Sequence, residues 1–542
     1  MEFKTPFALT IFKQKYAIRK DETWKDLAHR VVNDVCGDRK GTTDPLLSPA
    51  DLNAIESFIA TMKFIPGGRY LYYAGRDVSF YNNCFLMRAT DTREGWAELV
   101  SNATLALMSG GGIGVDYSAL RPAGSKLIRS GGESSGPLPL MKILNEVGRN
   151  VMQGGSRRSA MYASLSWRHK DIHEFMYAKN WTSVVRALKE ADFNFPATLD
   201  MTNISINWDD LFMSKVKQGK TPPIWYESIR RMCKTGEPGH SYNFKFDGKE
   251  TLRNACAEVT SEDDSDVCNL GSINMANVDN LDEMKRIVDL STKFLVCGSI
   301  RGDLPYEKVE ETREKNRRLG LGLMGIHEWL LARGYGYEVV HELETWLQEY
   351  KDISESSANS FCDELHISRP VKYRAIAPTG TIGIMASTTT GIEPLFAVAY
   401  KRRYLQDGTM WKYQYVIDAT AESLINKYDL NPKEIETAYT LALNPEKRIK
   451  FQYNIQRYVD HAISSTLNLP AWGTEHNNEE TAVDLANTLL KYYHGLRGMT
   501  VYPDGARGGQ PLTPVDYNVA KQYKGVIFDE VEEKCSGGIC GL

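Results

Sequence analysis

Over the first sixty residues, charged and apolar positions alternate with helical spacing, as at Trp24, Leu27, Val31 and Val32, and predict a short helical cap over residues 1–60. From 61 to 525 the rhythm changes. Short apolar or β-branched runs, among them Tyr162 to Ser166, Arg374 to Ala377 and Met499 to Tyr502, alternate with longer helical stretches. That alternation predicts one α/β domain, since no internal repeat or low-complexity linker divides the span. After Pro511 the chain turns polar and weakly periodic, and the glycines and charges of residues 526–542 predict a mobile tail.

Composition narrows the class. With 42% hydrophobic and 25% charged residues the chain can bury a large core. A formal net charge of -4 supplies no basic field for a nucleic-acid backbone. The cluster Lys447 to Lys450 is expected to be a solvated face. No apolar run reaches membrane-spanning length and no signal-peptide core opens the chain, so a soluble cytoplasmic enzyme is expected. Nine cysteines are too sparse for a disulfide framework, which makes each one a buried filler or a reactive thiol.

The candidate chemistry begins at Asn254-Ala255-Cys256-Ala257-Glu258. If this segment is extended, its period of two puts an amide, a thiol and a carboxylate on one side. A thiol can exchange a hydrogen atom, a carboxylate can take a hydroxyl proton, and an amide can orient a hydroxylated substrate. A buried cysteine between two surface polar residues is the plainer reading of these five residues taken alone. Other thiols favour the chemical one. Cys268 lies in Cys268-Asn269-Leu270-Gly271-Ser272-Ile273-Asn274, Cys84 lies in Asn82-Asn83-Cys84-Phe85-Leu86, and Cys535 and Cys540 stand in the tail. Together they offer a central thiol, a candidate redox pair and a dithiol on a flexible arm.

In these segments the sequence resembles the ribonucleotide reductase catalytic chain, from about residue 60 to 515. The resemblance also rests on Ser109 to Val115, Leu120-Arg121-Pro122, Gln153 to Arg158, Ala377 to Thr381, Gly391 to Pro394 and Thr500-Val501-Tyr502, in family order. It implies a ten-stranded α/β barrel, of the type shared with glycyl-radical enzymes, with the Asn254 to Glu258 segment projecting into its centre. It implies that Cys256 is the thiyl radical that removes the ribose 3′ hydrogen, Glu258 the base on the 3′ hydroxyl, and Asn254 the amide that holds the ribose hydroxyls. Cys84 and Cys268 become the pair that reduces the substrate, with Cys84 protonating the departing 2′ hydroxyl. Cys535 and Cys540 become the thiols that recharge that pair and are reset by thioredoxin or glutaredoxin.

The remaining sites follow in the same way. Pro378, Thr379, Gly380 and Thr381 come after an apolar run and before a helical stretch, where hydroxyls and backbone amides can grip a substrate phosphate; an ordinary Pro-Gly turn is the alternative. By resemblance, Asp91 and Arg121 belong to the site of a deoxynucleoside triphosphate effector such as dTTP. The segment holding Ser156, Arg157 and Arg158 would relay effector identity to substrate choice. A helix cap for Asp91 and a surface charge for Arg121 are the competing readings. The family-like sequence begins too near the N-terminus to leave room for the ATP-sensing domain that often precedes this barrel. Either a monomer or a homodimer is compatible with the resemblance.

The radical source is open between adenosylcobalamin and a separate dimetal, ferritin-like subunit. Thr500 to Arg507 resembles the cobalamin class, and Pro503 stands where chains served by a dimetal partner carry a second tyrosine after Tyr502, the residue through which a protein-borne radical would pass. Tyr492-Tyr493 lie close by in sequence.

Three motifs are set aside. Gly320 to Gly325 spells a dinucleotide fingerprint but follows a charged helical stretch, so its glycines are expected to serve helix packing or a turn. The histidine and carboxylate spacings around His341 and His366 lack companion helices, and Cys535 and Cys540 lack a second pair for zinc, so no metal site is expected. Cys36, Cys233, Cys297 and Cys362 are expected to be structural. A glycyl-radical lyase would need an Arg-Val-x-Gly-Tyr-like segment, which the sequence lacks, and an inactive nucleotide-binding regulator would not need the full thiol set.

Overall fold

The structure is a computed structural model that describes residues 3–41, 43–151, 159–192, 195–244, 249–406, 410–506 and 512–529. Ten strands form its main sheet. They are β1 (Phe64–Pro66), β2 (Cys84–Arg88), β3 (Gly112–Asp116), β4 (Met161–Ser166), β5 (Thr202–Trp208), β6 (Gly239–Tyr242), β7 (Asp266–Asn274), β8 (Leu319–Met324), β9 (Thr466–Leu469) and β10 (Gly498–Pro503).

Strands β2 to β6 run parallel in sequence order, and β7 with β8 and β9 with β10 are further parallel pairs. The two groups meet through antiparallel seams, β2 against β7 and β6 against β10. Two parallel single bridges, Leu321 to Arg374 and Ile376 to Ile463, carry the hydrogen-bonded path on from β8 to the residues just before β9. The sheet thereby curls round on itself, and helices cover its outside.

Alternation along the strands separates inside from outside. In β2, Phe85 and Met87 join an outer core with helices Arg93–Met108, Pro137–Asn150, Pro223–Thr235 and Glu479–Tyr492. Cys84 and Leu86 point the other way, into a small inner cluster with Cys268, Leu270, Leu252, Val259 and Ala375. A second outer core joins the N-terminal helices Pro6–Lys15, Trp24–Val35 and Pro49–Ala60 to the long helix Leu281–Arg301. Thr23 and Asp26 cap the second of these helices reciprocally, and its Trp24, Leu27, Val31 and Val32 are all buried.

Two expectations are corrected here. Gly320 and Gly322 lie inside strand β8, not in a turn or at a helix contact: a Cβ on Gly320 would stand 2.2 Å from Leu270 Cδ2 and 3.1 Å from Cys268 Sγ. The strand can pass this close to the inner thiol only without side chains there. Arg448 turns away from solvent, 5% exposed, and pairs with Glu393 while donating to Ser465 Oγ, because the helix Pro445–Gln456 lays that face on the core. After Pro511, Leu512–Pro514 and Ile527–Asp529 form a four-stranded antiparallel sheet with Ala399–Gln406 and Met410–Ile417, and Val515, Tyr517 and Ala520 cover Ala399 and Ile417. No described helix is long and apolar enough to cross a membrane.

Candidate active site

The central thiol sits on a hairpin that enters the ring of strands. Its ladder is two pairs long, Leu252 with Ser261 and Arg253 with Thr260, too short to stand alone. Walls on both sides hold it. On one side lies β3, where a Cβ on Gly114 would stand 1.8 Å from Arg253 O and one on Gly112 2.8 Å from the Ala255 methyl. On the other, Ala462 N donates to Glu258 O at 2.8 Å and Thr260 N to His461 Nδ1 at 3.1 Å.

The hairpin's base is an ionic knot. Buried Glu250 accepts from Lys372 Nζ and Arg497 Nη2, both at 2.5 Å, and from Thr260 Oγ1 at 3.2 Å. Burial alone would raise the Glu250 carboxyl, but the two cations hold it down at about 2; Lys372 is pushed down to about 7 by burial and by Arg497. No motif pointed to these residues, since their only sequence signal is single charges beside apolar runs.

The Asn254 to Glu258 segment is not extended. Ala257 adopts a left-handed φ of 65° and its N donates to Asn254 O at 3.0 Å, closing a turn with Cys256 near its tip. Convergence of the triad therefore comes from the turn and not from strand alternation. Asn254 braces it: Oδ1 accepts from Val259 N at 2.9 Å while Nδ2 donates to Cys84 Sγ at 2.9 Å. Cys84 Sγ stands 4.0 Å from Glu258 Oε1.

Electrostatics assign different states to these groups. Burial raises the Glu258 carboxyl to about 7 against a smaller pull from the Asn254 amide, and its Oε2 has no hydrogen-bond partner among the described residues. Burial, reinforced by Glu258 and the neighbouring thiols, holds Cys84 well above the usual thiol range; burial with Asp266 and Glu258 does the same for Cys268. Both stay protonated at neutral pH. They face each other across the antiparallel β2–β7 seam, at cross-strand spacing compatible with a disulfide. Cys256 is only partly buried.

Cys84, Asn254, Cys256 and Glu258 open on a single cleft that Pro378, Thr379, Gly380 and Thr381 also line. Thr379 is buried in a left-handed conformation (φ 49°) just before the helix Gly380–Ala386, and its Oγ1 accepts from Gly391 N at 2.8 Å. Sequence reasoning also missed Arg69, which lines the same cleft and follows the Gly67-Gly68 pair at the end of β1.

The other expected residues lie elsewhere. Asp91 and Arg121 meet in an ion pair of 2.7 Å, and the helix cap beside them is Thr92, not Asp91. Tyr502 is on β10, opposite Asn468 of β9. Tyr493 packs into an aromatic cluster with Phe212 and Phe244, while Tyr492 donates to Glu446. Cys36, Cys233, Cys297 and Cys362 are buried. Ser156, Arg157, Arg158, Cys535 and Cys540 lie outside the described residues.

The sequence matches a known family and known proteins. The family described as "Ribonucleotide reductase, barrel domain" matches residues 82–228, 223–349 and 369–502. A vitamin B12-dependent ribonucleoside-diphosphate reductase of Mycobacterium tuberculosis is 25% identical across 98% of this chain and 82% of its own length. One of the same name from Thermoplasma acidophilum is 26% identical across 85% of this chain and 66% of its own length. With the matched segments spanning β2 to β10, the chain belongs to the ribonucleotide reductase barrel-domain family.

Proposed function

We propose that the chain is the catalytic subunit of a ribonucleotide reductase that converts ribonucleoside diphosphates to 2′-deoxyribonucleotides. The observation that carries the reading is one cleft holding Cys256, Glu258 and Asn254 beside a thiol, Cys84, that has a second thiol opposite it. A thiyl radical on Cys256 takes the 3′ hydrogen of the ribose and becomes a thiol. Glu258 as carboxylate accepts the 3′ hydroxyl proton at Oε2, which has no partner among the described residues, and Asn254 holds the ribose hydroxyls. Cys84, protonated by virtue of its burial, gives its proton to the departing 2′ hydroxyl, which leaves as water. Cys84 and Cys268 supply two electrons and become a disulfide as the Cys268 hydrogen passes to C2′, Glu258 returns its proton to the 3′ oxygen, and Cys256 returns the hydrogen atom to C3′, regenerating its radical. Thr379, Gly380 and Thr381 hold the phosphates.

Adenosylcobalamin, when bound, supplies the one-electron chemistry that starts the cycle. Cys256 is partly buried and lines the cleft, and the space beside Gly380 is open, so these residues are where the chain would meet it. The relatives' names, and a Tyr502 followed by proline, favour cobalamin over a dimetal subunit. Cys535 and Cys540 recharge the inner pair from thioredoxin or glutaredoxin. A deoxynucleoside triphosphate at Asp91 and Arg121, relayed through Ser156, Arg157 and Arg158, selects the base.

The test is a reduction assay on all four ribonucleoside diphosphates, with adenosylcobalamin in one arm and a dimetal radical subunit in the other. Product in the cobalamin arm alone, lost in Cys256→Ser with nucleotide binding kept, is the expected result. Product in the dimetal arm alone would overturn the radical source. Turnover by Cys256→Ser would remove the thiyl assignment.

A further inference from the structure

Among the described residues that line the cleft, Arg69 carries the only positive side chain and Glu258 the only negative one. A nucleoside diphosphate entering this space is a polyanion that meets a buried carboxylate and, apart from Arg69, neutral walls. Hydroxyls and backbone amides can bind its phosphates, but they do not offset its charge.

Arg69 is built into the wall. It belongs to the helix Gly68–Tyr73, which follows β1 directly; β1 pairs with β7, and Gly67 N donates to Leu270 O at 2.8 Å. The residue is 8% exposed, and its guanidinium carbon lies 5.8 Å from the rings of both Tyr72 and Tyr73. Tyr73 is itself anchored by donating to Ser109 O at 3.0 Å. The guanidinium rests on Gly110, another lining residue, where a Cβ would come within 2.0 Å of Nη1. A planar cation fixed between rings and a bare backbone keeps the fork geometry that matches phosphate oxygens.

From this placement we propose that Arg69 is a substrate-binding residue that grips the nucleotide's phosphates, in addition to Thr379, Gly380 and Thr381. The inference rests on the reading of the cleft as the ribonucleotide site.

Calorimetric titration of the full chain with cytidine diphosphate, cytidine and adenosylcobalamin tests it, on the parent and on Arg69→Gln. The parent should bind the diphosphate at least tenfold tighter than the nucleoside. Arg69→Gln should lose about tenfold for the diphosphate and stay within twofold for the other two ligands. Equal losses for diphosphate and nucleoside, a loss for adenosylcobalamin alone, or no loss would each overturn the role given to Arg69. If Arg69→Gln does not fold, as judged by its melting curve, Arg69→Lys is read in its place: a severalfold loss confined to the diphosphate supports the contact, and unchanged affinity overturns it. A parent that fails to prefer the diphosphate overturns the nucleotide reading along with Arg69, which separates the two failures.

Discussion

Asn254 ties the hairpin to the redox pair: one amide accepts from Val259 N and donates to Cys84 Sγ, each at 2.9 Å, so the turn that carries Cys256 and the strand that carries Cys84 share a hinge. Glu258 stands next to that hinge with one oxygen 4.0 Å from the same sulfur and the other without a partner among the described residues. Position and titration of Glu258 are therefore linked through a single buried neighbourhood.

The first expectation concerns pH. Burial lifts Glu258 from the ordinary 4.5 to about 7, so the folded protein holds an extra proton between those values. Stability contributed by this site falls as pH rises from about 4.5 to about 7 and is flat above, a cost on the order of 3 kcal/mol once the group is ionised. Glu258→Gln cannot ionise. Urea unfolding should show the variant gaining stability over the parent as pH moves from 5 to 8, while its reductase activity is lost. A parent whose turnover does not rise through pH 7 would contradict a base that must be ionised to act.

A second expectation concerns the wall behind the hairpin. Gly114 leaves no room for a methyl group, which would stand 1.8 Å from Arg253 O, a backbone atom that cannot swing aside. Gly114→Ala should shift the hairpin, lower stability by about 1–3 kcal/mol and reduce turnover far more than nucleotide affinity. Thermal unfolding and a kcat against KM comparison check it. Parent-like turnover would show that the hairpin has slack.

These two residues mark what was legible in the sequence. The residue types of the site were readable because the chemistry needs a thiol, a carboxylate and an amide close together, and Asn254, Cys256 and Glu258 sit within five positions. The conformation was not. Asn-Ala-Cys-Ala-Glu fits strand alternation, and the left-handed residue that makes the turn is Ala257, which carries no glycine to announce it. Gly320 and Gly322 misled in the opposite sense, since glycines that make room for neighbouring groups in a sheet, Leu270 and the Cys268 thiol at Gly320 and Ala375 O at Gly322, look like glycines of a turn. The facing of Cys84 and Cys268, the pairing of Asp91 with Arg121 and the inward turn of Arg448 depend on contacts far apart in the chain, which local pattern does not encode.

A third expectation concerns the effector. Asp91 engages Arg121 through Nε, with both side chains partly exposed, so this pair is accessible to a ligand. Arg121→Ala should weaken dTTP binding by on the order of 1.5–3 kcal/mol, the scale of a charge-assisted contact, and blur the base preference that dTTP imposes. Calorimetry and a four-substrate assay measure the two effects. Unchanged dTTP affinity would move the phosphates away from Arg121.

The last expectation separates the two thiol pairs. Cys84 and Cys268 lie opposite each other in the inner cluster, both buried, and the proposed reaction would leave them as a disulfide inside the ring of strands. Reducing it requires a thiolate to reach one of those sulfurs. A small dithiol can diffuse into the cleft, whereas a folded reductant such as thioredoxin is too large to enter and needs an intermediary on a reachable arm. If Cys535 and Cys540 are that intermediary, the double variant Cys535→Ser, Cys540→Ser should make about one deoxynucleotide per active site with thioredoxin and then stop. Dithiothreitol should restore continuous turnover, because the inner pair and Cys256 are untouched. Rapid-quench product counts against both reductants decide the matter, and sustained thioredoxin-driven turnover in the double variant would show that electrons reach the inner pair by another route.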